Sequence, residues 1–408
     1  IQQERNGSSV DCFLLKTISA MLNDMKCYEQ VLEERLLKVT QQHYKTLAQN
    51  LIAHGTMVPE YLVQSELKLN EENKRVANYL IETTRPKLEQ IVREEMITNC
   101  MEFVLEDTIS GFVSLVRDNR IDDLNRMYKL FSFHEPHLQK MVDRYQTFIS
   151  SVGKEYISDP TRESKPVQYV QELIDQKLKY DKILVNAFEK RGMFESALTK
   201  GFAEFADGTI QRRLPEFISL FVDVQLARTN TVEMETLLDQ IIMLFKFLQD
   251  KDVFENYYKI HLSKRLLMAQ CSQPLSHQDA EKLFISKLKK ECGLGVTSKI
   301  EGMLNDMRLS RDNMELFREH PAFNLKDPTV DLYVNILTSS FWPAYTISPA
   351  ILSTEMESCC TAFSVYYNEV HSGRKITWQK NLGDGVMMAR FPFGKREVSA
   401  TTHQMIIL

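Results

Sequence analysis

The chain contains residue types that catalyse reactions, but their spacing matches no catalytic motif. Gly293-Leu294-Gly295 and Gly383-Asp384-Gly385 are isolated Gly-x-Gly pairs without the third glycine of a dinucleotide site or the Gly-Lys-Ser/Thr ending of a phosphate loop. His134 and His137 lie three residues apart, but Pro136 between them disfavours a shared helical face. The other histidines are scattered. We therefore expect no catalytic residues, no cofactor and no metal site.

The cysteines indicate a reducing compartment. They number seven, are scattered and form no Cys-x-x-Cys pair, which argues against a disulfide framework and a structural zinc site. Cys292 has no His or Asp at a spacing that would provide a base, so we expect a small core residue there. The N-terminal residues 1–5 lack the apolar core of a signal peptide. We expect a cytoplasmic and nuclear protein.

Length and charge set the class of protein. A chain of 408 residues exceeds what one hydrophobic core usually supports, so several packed units are expected. The net charge of -5 argues against a nucleic-acid partner, which would require clustered Lys and Arg. No apolar run approaches the roughly 20 residues of a membrane-spanning helix, so no membrane partner is expected.

Two regions with different patterns follow each other along the chain. The first three hundred residues have helical apolar spacing, and prolines fall where helices are expected to begin or end. Asn230 and Glu233 form a candidate capping pair. The sets that follow one helical face are Tyr169, Leu173, Tyr180, Leu184 and Phe188, and then Leu237, Leu238, Ile241, Leu244, Phe245 and Leu248.

After Lys326 the pattern becomes that of strands. Val330, Leu332, Val334 and Ile336 alternate with polar or exposed residue types, which predicts a half-buried strand that ends near Trp342-Pro343. Further strand candidates are residues 376–378, 386–391 and 397–401, separated by turns that contain glycine. This region is predicted to be a small α/β domain.

Residues 249–307 contain several blocks in a fixed order, and they are the most informative part of the sequence. Together they resemble the core signature of the cullins, the elongated scaffolds of multisubunit RING ubiquitin ligases. The signature positions are Phe254, Tyr257, Tyr258, Leu262, Arg265, Leu266, Lys287, Lys289, Cys292, Gly293, Ser298 and Lys299.

The residues of these blocks have a simpler structural interpretation as well. Phe254, Tyr258, Leu262 and Leu266 lie four apart, as in the buried stripe of a helix. We expect the flanking charges Lys259, Lys264 and Arg265 to form a solvated face more often than a partner contact.

The lysines before Gly293 have a similar explanation. Lys287, Lys289 and Lys290 complement a helix C-terminus, and Gly293 would provide its left-handed cap. This interpretation needs no ligand.

The resemblance implies a mainly α fold: an elongated stack of cullin-repeat helix bundles, a four-helix bundle and a truncated C-terminal α/β domain. It places a partial second repeat at residues 1–103 and the third repeat at 104–213. It places the four-helix bundle at 214–325, and the α/β domain at 326–408, before a winged-helix region. Residues 127–132, 371–374 and 403–405 are most similar to the cullin-three branch.

The resemblance also implies partners. The α/β domain would hold a RING-box protein by strand addition, and that subunit would dock a ubiquitin-conjugating enzyme. A BTB-type substrate adaptor would bind the first repeat, which we expect to be missing, as is the lysine of the family's neddylation site. The candidate strand-addition residues are Val334, Ile336, Trp342, Ile376, Trp378, Val386, Met388 and Arg390.

Two alternative interpretations remain open. A degenerate or truncated cullin-like decoy would keep the fold and lose assembly. The family's Leu-Lys-Lys is Leu226-Ala227-Arg228 here, and its Thr-Gly-aromatic-Trp-Pro is Ser339-Ser340-Phe341-Trp342-Pro343. A serine replaces the glycine that tolerates positive φ, so the local turn is expected to differ. The second alternative is an unrelated enzyme whose site a single sequence does not reveal.

Overall fold

The computed structural model describes residues 1–5, 7–157, 164–205, 213–226, 231–248, 250–268, 276–346, 349–392 and 394–408. The chain divides into two compact units. The first comprises residues 1–160 and 172–208, and the second comprises 161–171 and 209–408. The four domains expected from the sequence, and the three boundaries between them, remain predictions. No helix of the described part of the chain has both the length and the apolar character of a membrane span.

The structure is mostly helical. The first helices are α1 (Gln2–Arg5), α2 (Cys12–Asp24), α3 (Glu34–Ala53), α4 (Val58–Tyr79), α5 (Thr84–Arg93), α6 (Met101–Glu106), α7 (Phe112–Arg117), α8 (Ile121–Phe131) and α9 (Glu135–Ile157). They continue with α10 (Pro166–Asn186), α11 (Gly192–Phe205), α12 (Leu214–Leu226), α13 (Thr231–Phe245), α14 (Lys251–Met268), α15 (Ser276–Cys292) and α16 (Leu294–Glu319). The C-terminal elements are α17 (Thr354–Val370), β1 (Asp384–Phe391), β2 (Gly394–Thr401) and α18 (Thr402–Ile407).

The helical faces expected from the apolar spacing are confirmed. The predicted face of α10 is buried at Tyr169, Leu173, Tyr180 and Leu184, and Phe188 continues into the core just after the helix. Leu248 likewise is buried beyond the end of α13. The predicted capping pair of Asn230 and Glu233 lies outside the described residues and side chains. So do residues 227–228, where the sequence differs from the family's Leu-Lys-Lys pattern.

Aromatic packing fills the core of the first unit. Phe188 and Phe194 stack with ring centroids 4.1 Å apart, and Tyr145 contacts both rings edge-on. Such pairs add about 1 kcal/mol each beyond the burial of their area. This core joins α9, α11 and the residues that follow α10.

A buried ion cluster also holds the first unit together. The Glu72 Oε1 atom accepts hydrogen bonds from Arg5 Nε (2.8 Å), Arg75 Nη1 (2.8 Å) and the Tyr44 hydroxyl (2.6 Å). Burial alone would raise the pKa of Glu72, but the hydrogen bond and charge of Arg5, with Tyr44 and Arg75, hold it below its usual value. Arg5 thereby fixes the short helix α1 to α3 and α4.

The sheet expected in the C-terminal region is smaller than predicted. The strands predicted at residues 386–391 and 397–401 are confirmed as β1 and β2, an antiparallel hairpin in which Val386 pairs with Ser399 and Met388 with Glu397. The strands predicted at residues 330–336 and 376–378 are not part of a sheet in the described chain. The sequence analysis did not locate α17, which lies between these two segments.

Candidate functional site

The segment 331–338, which we call the edge segment, carries the side-chain pattern of the predicted strand. Val334 is buried, Leu332 and Ile336 pack against the same hydrophobic cluster, and Asp331 and Tyr333 are exposed. The predicted inward positions are therefore confirmed at Leu332, Val334 and Ile336, and the outward positions at Asp331 and Tyr333, while Asn335 is half-buried. The prediction of a strand paired in a sheet is wrong for the described residues, because a helix takes the place of the neighbouring strand.

Helix α16 provides the acceptors for this segment. The amide of Val334 donates to Met314 Sδ (3.3 Å), that of Ile336 to Ser310 Oγ (2.8 Å) and that of Thr338 to Asp306 Oδ2 (2.7 Å). The three acceptors are spaced four residues apart on α16, and the three donors two residues apart. The helix thus satisfies every second amide, and no β-bridge is needed on that edge.

Asp306 also fixes the turn that ends the edge segment. Its Oδ2 accepts a hydrogen bond from Trp342 Nε1 (2.9 Å), and its Oδ1 accepts one from the Thr338 hydroxyl (3.0 Å). Charge-assisted hydrogen bonds of this kind are about twice as strong as neutral ones. Trp342, a predicted site residue, is consequently buried and oriented by a side chain of α16.

Serine fits the turn where the resemblance led us to expect a disturbance. The Phe341 amide donates to the Thr338 carbonyl (2.9 Å), so the turn closes. Ser340 is not among the described residues with positive φ. The glycine of the family pattern is therefore not required by the backbone at this position.

A second segment, residues 374–379, lies on the same cluster. Ile376 and Trp378 pack against the hydrophobic cluster that contains Val334. Trp378 Nε1 also donates a hydrogen bond to the Ser364 hydroxyl of α17 (3.3 Å). This segment forms no β-bridge within the described residues. The structure therefore brings four predicted residues around one cluster, Val334, Ile336, Ile376 and Trp378. Trp342 is buried separately, where it donates to Asp306.

The other three predicted residues lie elsewhere. Val386, Met388 and Arg390 share the outer face of the β1–β2 hairpin, where Val386 and Met388 are more than half exposed. None of the three belongs to the cluster under the edge segment. Their side chains are available to a partner, but they do not line the same surface as the four residues around the cluster.

The signature helix α14 is mainly core, as its spacing predicted. Phe254, Tyr258 and Leu262 are fully buried and Leu266 is nearly so, while Tyr257 is half-buried. Burial first, and then the charge of Glu281, raises the pKa of Tyr258 well above its usual value. The Tyr258 phenol therefore stays protonated and donates to Glu281.

The expected solvated face is wrong for Arg265 and for Lys259. The Arg265 guanidinium forms ion pairs with Glu281 (2.8 Å) and Asp223, and its side chain is only 15% exposed. Lys259 pairs with Glu255 and is similarly covered. Lys264 alone is exposed as expected. Local spacing did not reveal the acidic residues that neighbouring helices provide.

The end of α15 matches its structural interpretation in part. Gly293 has the positive φ of 72° that favours glycine, and its amide donates to the Lys289 carbonyl (2.9 Å). Its ψ of -171° lies outside the left-handed helical region, so the glycine at the helix end is confirmed but the left-handed cap geometry is not. Burial raises the pKa of Cys292, which keeps it a thiol. Lys287 pairs with Asp239, Lys289 with Glu301 and Lys299 with Glu255, and Ser298 is exposed.

The described residues contain no group of three or more His, Cys, Asp or Glu side chains suited to a metal ion. The two histidines flanking Pro136 do come together, against the expectation, with ring centroids 4.3 Å apart. Pro136 lies in the first turn of α9, where a missing amide hydrogen costs little. His137 is buried and packs against Phe131, which gives it a core role.

The sequence analysis missed the residues that support the site: Asp306, Ser310, Met314 and Ser364. A clue was present, since Asp306 and Ser310 place polar groups on one face of α16 in line with Met314.

Comparison with known proteins gives two family matches. Residues 1–314 match the model of the cullin alpha solenoid domain, and residues 336–408 match that of the cullin alpha+beta domain. The whole chain aligns at 37% identity with 53% of Cullin-3 from Dictyostelium discoideum, and at 38% with 56% of Cullin-3A from Arabidopsis thaliana. It aligns at 35% with 53% of human Cullin-4A. The chain spans about half the length of these curated relatives.

Proposed function

The chain belongs to the cullin family, and we propose that it is a scaffold subunit of a cullin-RING ubiquitin ligase that holds a RING-box protein by strand addition. The observation that carries this proposal is the edge segment. It has one edge on α16, has its inner side chains on a hydrophobic cluster and pairs with no strand in the described chain. A partner strand would pair with the edge of the segment that faces away from α16.

Strand addition fits the chemistry of this region. Backbone amides and carbonyls of the incoming strand provide affinity, and alternate side chains provide specificity. Val334 and Ile336 on one segment, and Ile376 and Trp378 on the other, lie on the same cluster. An incoming strand with apolar residues at alternate positions would extend this core.

The scaffold role follows from positioning rather than from catalysis by this chain. We propose that the helical part holds the RING-box protein, with its ubiquitin-conjugating enzyme, at a fixed distance from a substrate adaptor. Raising the local concentration of the acceptor lysine near the ubiquitin thioester then raises the rate. The likeness to Cullin-3 proteins supports a BTB-type adaptor as the partner of the complete protein. We propose that it acts in the cytoplasm and nucleus.

The order and extent of the family matches favour an assembling scaffold over the degenerate decoy. Both family models match in sequence order, and together they cover nearly all of the chain. The turn with the substituted serine closes with a hydrogen bond. No observation in the described residues favours an unrelated enzyme.

Co-purification tests the proposal. The tagged chain is co-expressed with a RING-box protein, in parallel with Tyr333→Pro and Tyr333→Ala. Tyr333 belongs to the edge segment and its side chain is exposed, so alanine leaves the backbone amide in place, whereas proline removes it. We expect a one-to-one complex with the parent chain and with the alanine variant, and loss of the complex with the proline variant. Absence of a complex with the parent chain would refute the proposed function.

A further inference from the structure

The spacing of amide donors along the edge segment equals the spacing of their acceptors along α16. Met314 and Asp306 lie two helical turns apart, about 12 Å at about 1.5 Å per residue. Their donors Val334 and Thr338 are four residues apart. Four residues span the distance between the two acceptors only if the chain is extended, at about 3.3 Å per residue. The segment therefore runs extended and antiparallel to α16, and each helical turn meets every second amide.

This match makes the two edges of the segment different. In an extended chain, backbone groups of neighbouring residues point to opposite edges. The amides of Val334, Ile336 and Thr338 face α16, and the Ser310 hydroxyl is also 3.4 Å from the Ile336 carbonyl. The backbone groups of Tyr333 and Leu337 consequently face the opposite edge. Among the described residues, no strand forms a ladder along this second edge.

We propose that Asp306, Ser310 and Met314 are positioning residues that occupy one edge of the segment and thereby fix the register of the incoming strand, which pairs with the backbone of Tyr333 and Leu337. This inference rests on the proposed function. It assigns a role to a helix rather than to a strand: the side chains of α16 hold the segment extended before the partner arrives. Binding then loses less backbone conformational entropy, because the segment is already ordered.

The register also selects the partner sequence. Leu332, Val334 and Ile336 direct their side chains to the cluster, so the side chains of the incoming strand that face the same way meet apolar surface. Side chains at the intervening positions face solvent beside Tyr333. The incoming segment therefore has alternate apolar and polar residues. A shift by one residue would place polar groups on the cluster.

Residue-resolved amide hydrogen exchange on the full chain tests the inference. In the free chain we expect slow exchange at Val334, Ile336 and Thr338, and fast exchange at Tyr333 and Leu337. With saturating RING-box protein, the amides of Tyr333 and Leu337 should slow by about tenfold or more. Protection at these two positions reports pairing along the edge opposite α16, which a merely structural role of α16 would not produce.

The outcomes separate the two levels of the proposal. A complex that forms without protection at Tyr333 and Leu337 would overturn the register and leave the scaffold role intact. Equal exchange at all five amides of the free chain would overturn the positioning role of α16. If no complex forms, the proposed function fails and the inference fails with it.

A variant pair measures the contribution of the helix. Ser310→Ala removes the acceptor of the Ile336 amide. We expect faster exchange at Ile336 and about tenfold weaker binding of the RING-box protein, because a partly buried donor loses its partner. Ser263→Ala is the control, since Ser263 is a buried helical serine whose hydroxyl donates to a carbonyl of its own helix. Equal affinity of the two variants would contradict the positioning role.

Discussion

Buried charges in each unit are held by partners from other helices. In the second unit, Arg265 of the signature helix joins Asp223 of α12 and Glu281 of α15. In the first unit, Glu72 joins Arg5 and Arg75. Removing one partner from such a cluster leaves an uncompensated charge, which costs far more than the loss of an exposed pair. The signature position Arg265 therefore acts on the packing of three helices.

Arg265→Met is expected to lower the free energy of unfolding of the second unit by about 3 kcal/mol. Both tryptophans, Trp342 and Trp378, lie in that unit, so their fluorescence during urea unfolding reports it. Lys282→Met is the control, because the Lys282–Asp279 pair is exposed and should contribute less than about 1 kcal/mol. Equal unfolding midpoints for the two variants would contradict the role assigned to Arg265.

The Glu72 cluster predicts a pH dependence for the first unit. The folded-state pKa of Glu72 lies below its usual value of 4.5, so the stabilisation is present above that pH and is lost as the pH falls through the folded-state pKa. Glu72→Gln should cost about 3 kcal/mol at neutral pH and give a shallower loss of stability in acid. Circular dichroism during urea unfolding at several pH values measures this.

Glu82→Gln is the matched control for that experiment, because Glu82 forms an exposed pair with Arg85. Its acid dependence should equal that of the parent chain. An unchanged acid dependence in Glu72→Gln would show that Glu72 does not titrate as described.

At the residue scale, local spacing predicted the buried stripe of α14 but not the partners of its charges. Phe254, Tyr258 and Leu262 repeat at the helical period, and that period is a property of the sequence itself. The burial of Arg265 depends on Asp223 and Glu281, which are 42 and 16 residues away. Such contacts follow from tertiary packing, which one sequence does not encode in any local pattern.

Among the elements, α16 has the widest role, because it belongs to the helical part and also supports the C-terminal segments. Its residues Asp306, Ser310 and Met314 hold the edge segment, and its Gly302 lies against the Phe341 ring of the following turn. A Cβ atom at Gly302 would lie 2.5 Å from that ring. The close approach of helix and turn therefore requires glycine at this position.

Gly302→Ala and Gly295→Ala should change stability in opposite directions. Both residues lie in α16, but a Cβ at Gly295 would meet no atom within 4 Å. Alanine at Gly295 should stabilise the helix by about 0.5–1 kcal/mol, and alanine at Gly302 should destabilise it by about 1 kcal/mol or more because the Phe341 ring must move. Tryptophan fluorescence during urea unfolding measures both. Stabilisation by Gly302→Ala would refute the close packing.

Sequence patterns predicted the elements better than their pairing. The hairpin strands β1 and β2 were found because their turn and strand residues are adjacent in the chain. The edge segment has the same alternation, but its acceptors lie on a helix 20 to 32 residues earlier. Helix α17 was missed although Cys359, Phe363 and Tyr366 follow a helical period.

At the scale of the whole molecule, both family models match parts of the chain, and the chain spans about half the length of its curated relatives. The proposed partners divide accordingly. The RING-box protein is assigned to the described C-terminal region, and the adaptor is assigned to the complete protein. Strand addition at the edge segment is therefore the part of the proposed scaffold function that can be tested with this chain.

The most direct measurement is a calorimetric titration of the chain with a RING-box protein and with the same protein lacking the segment that would add as a strand. The account predicts one-to-one binding of the first and about a hundredfold or greater loss of affinity for the second, because backbone pairing provides much of the affinity in strand addition. Equal affinity of the two, or no binding of either, would contradict it.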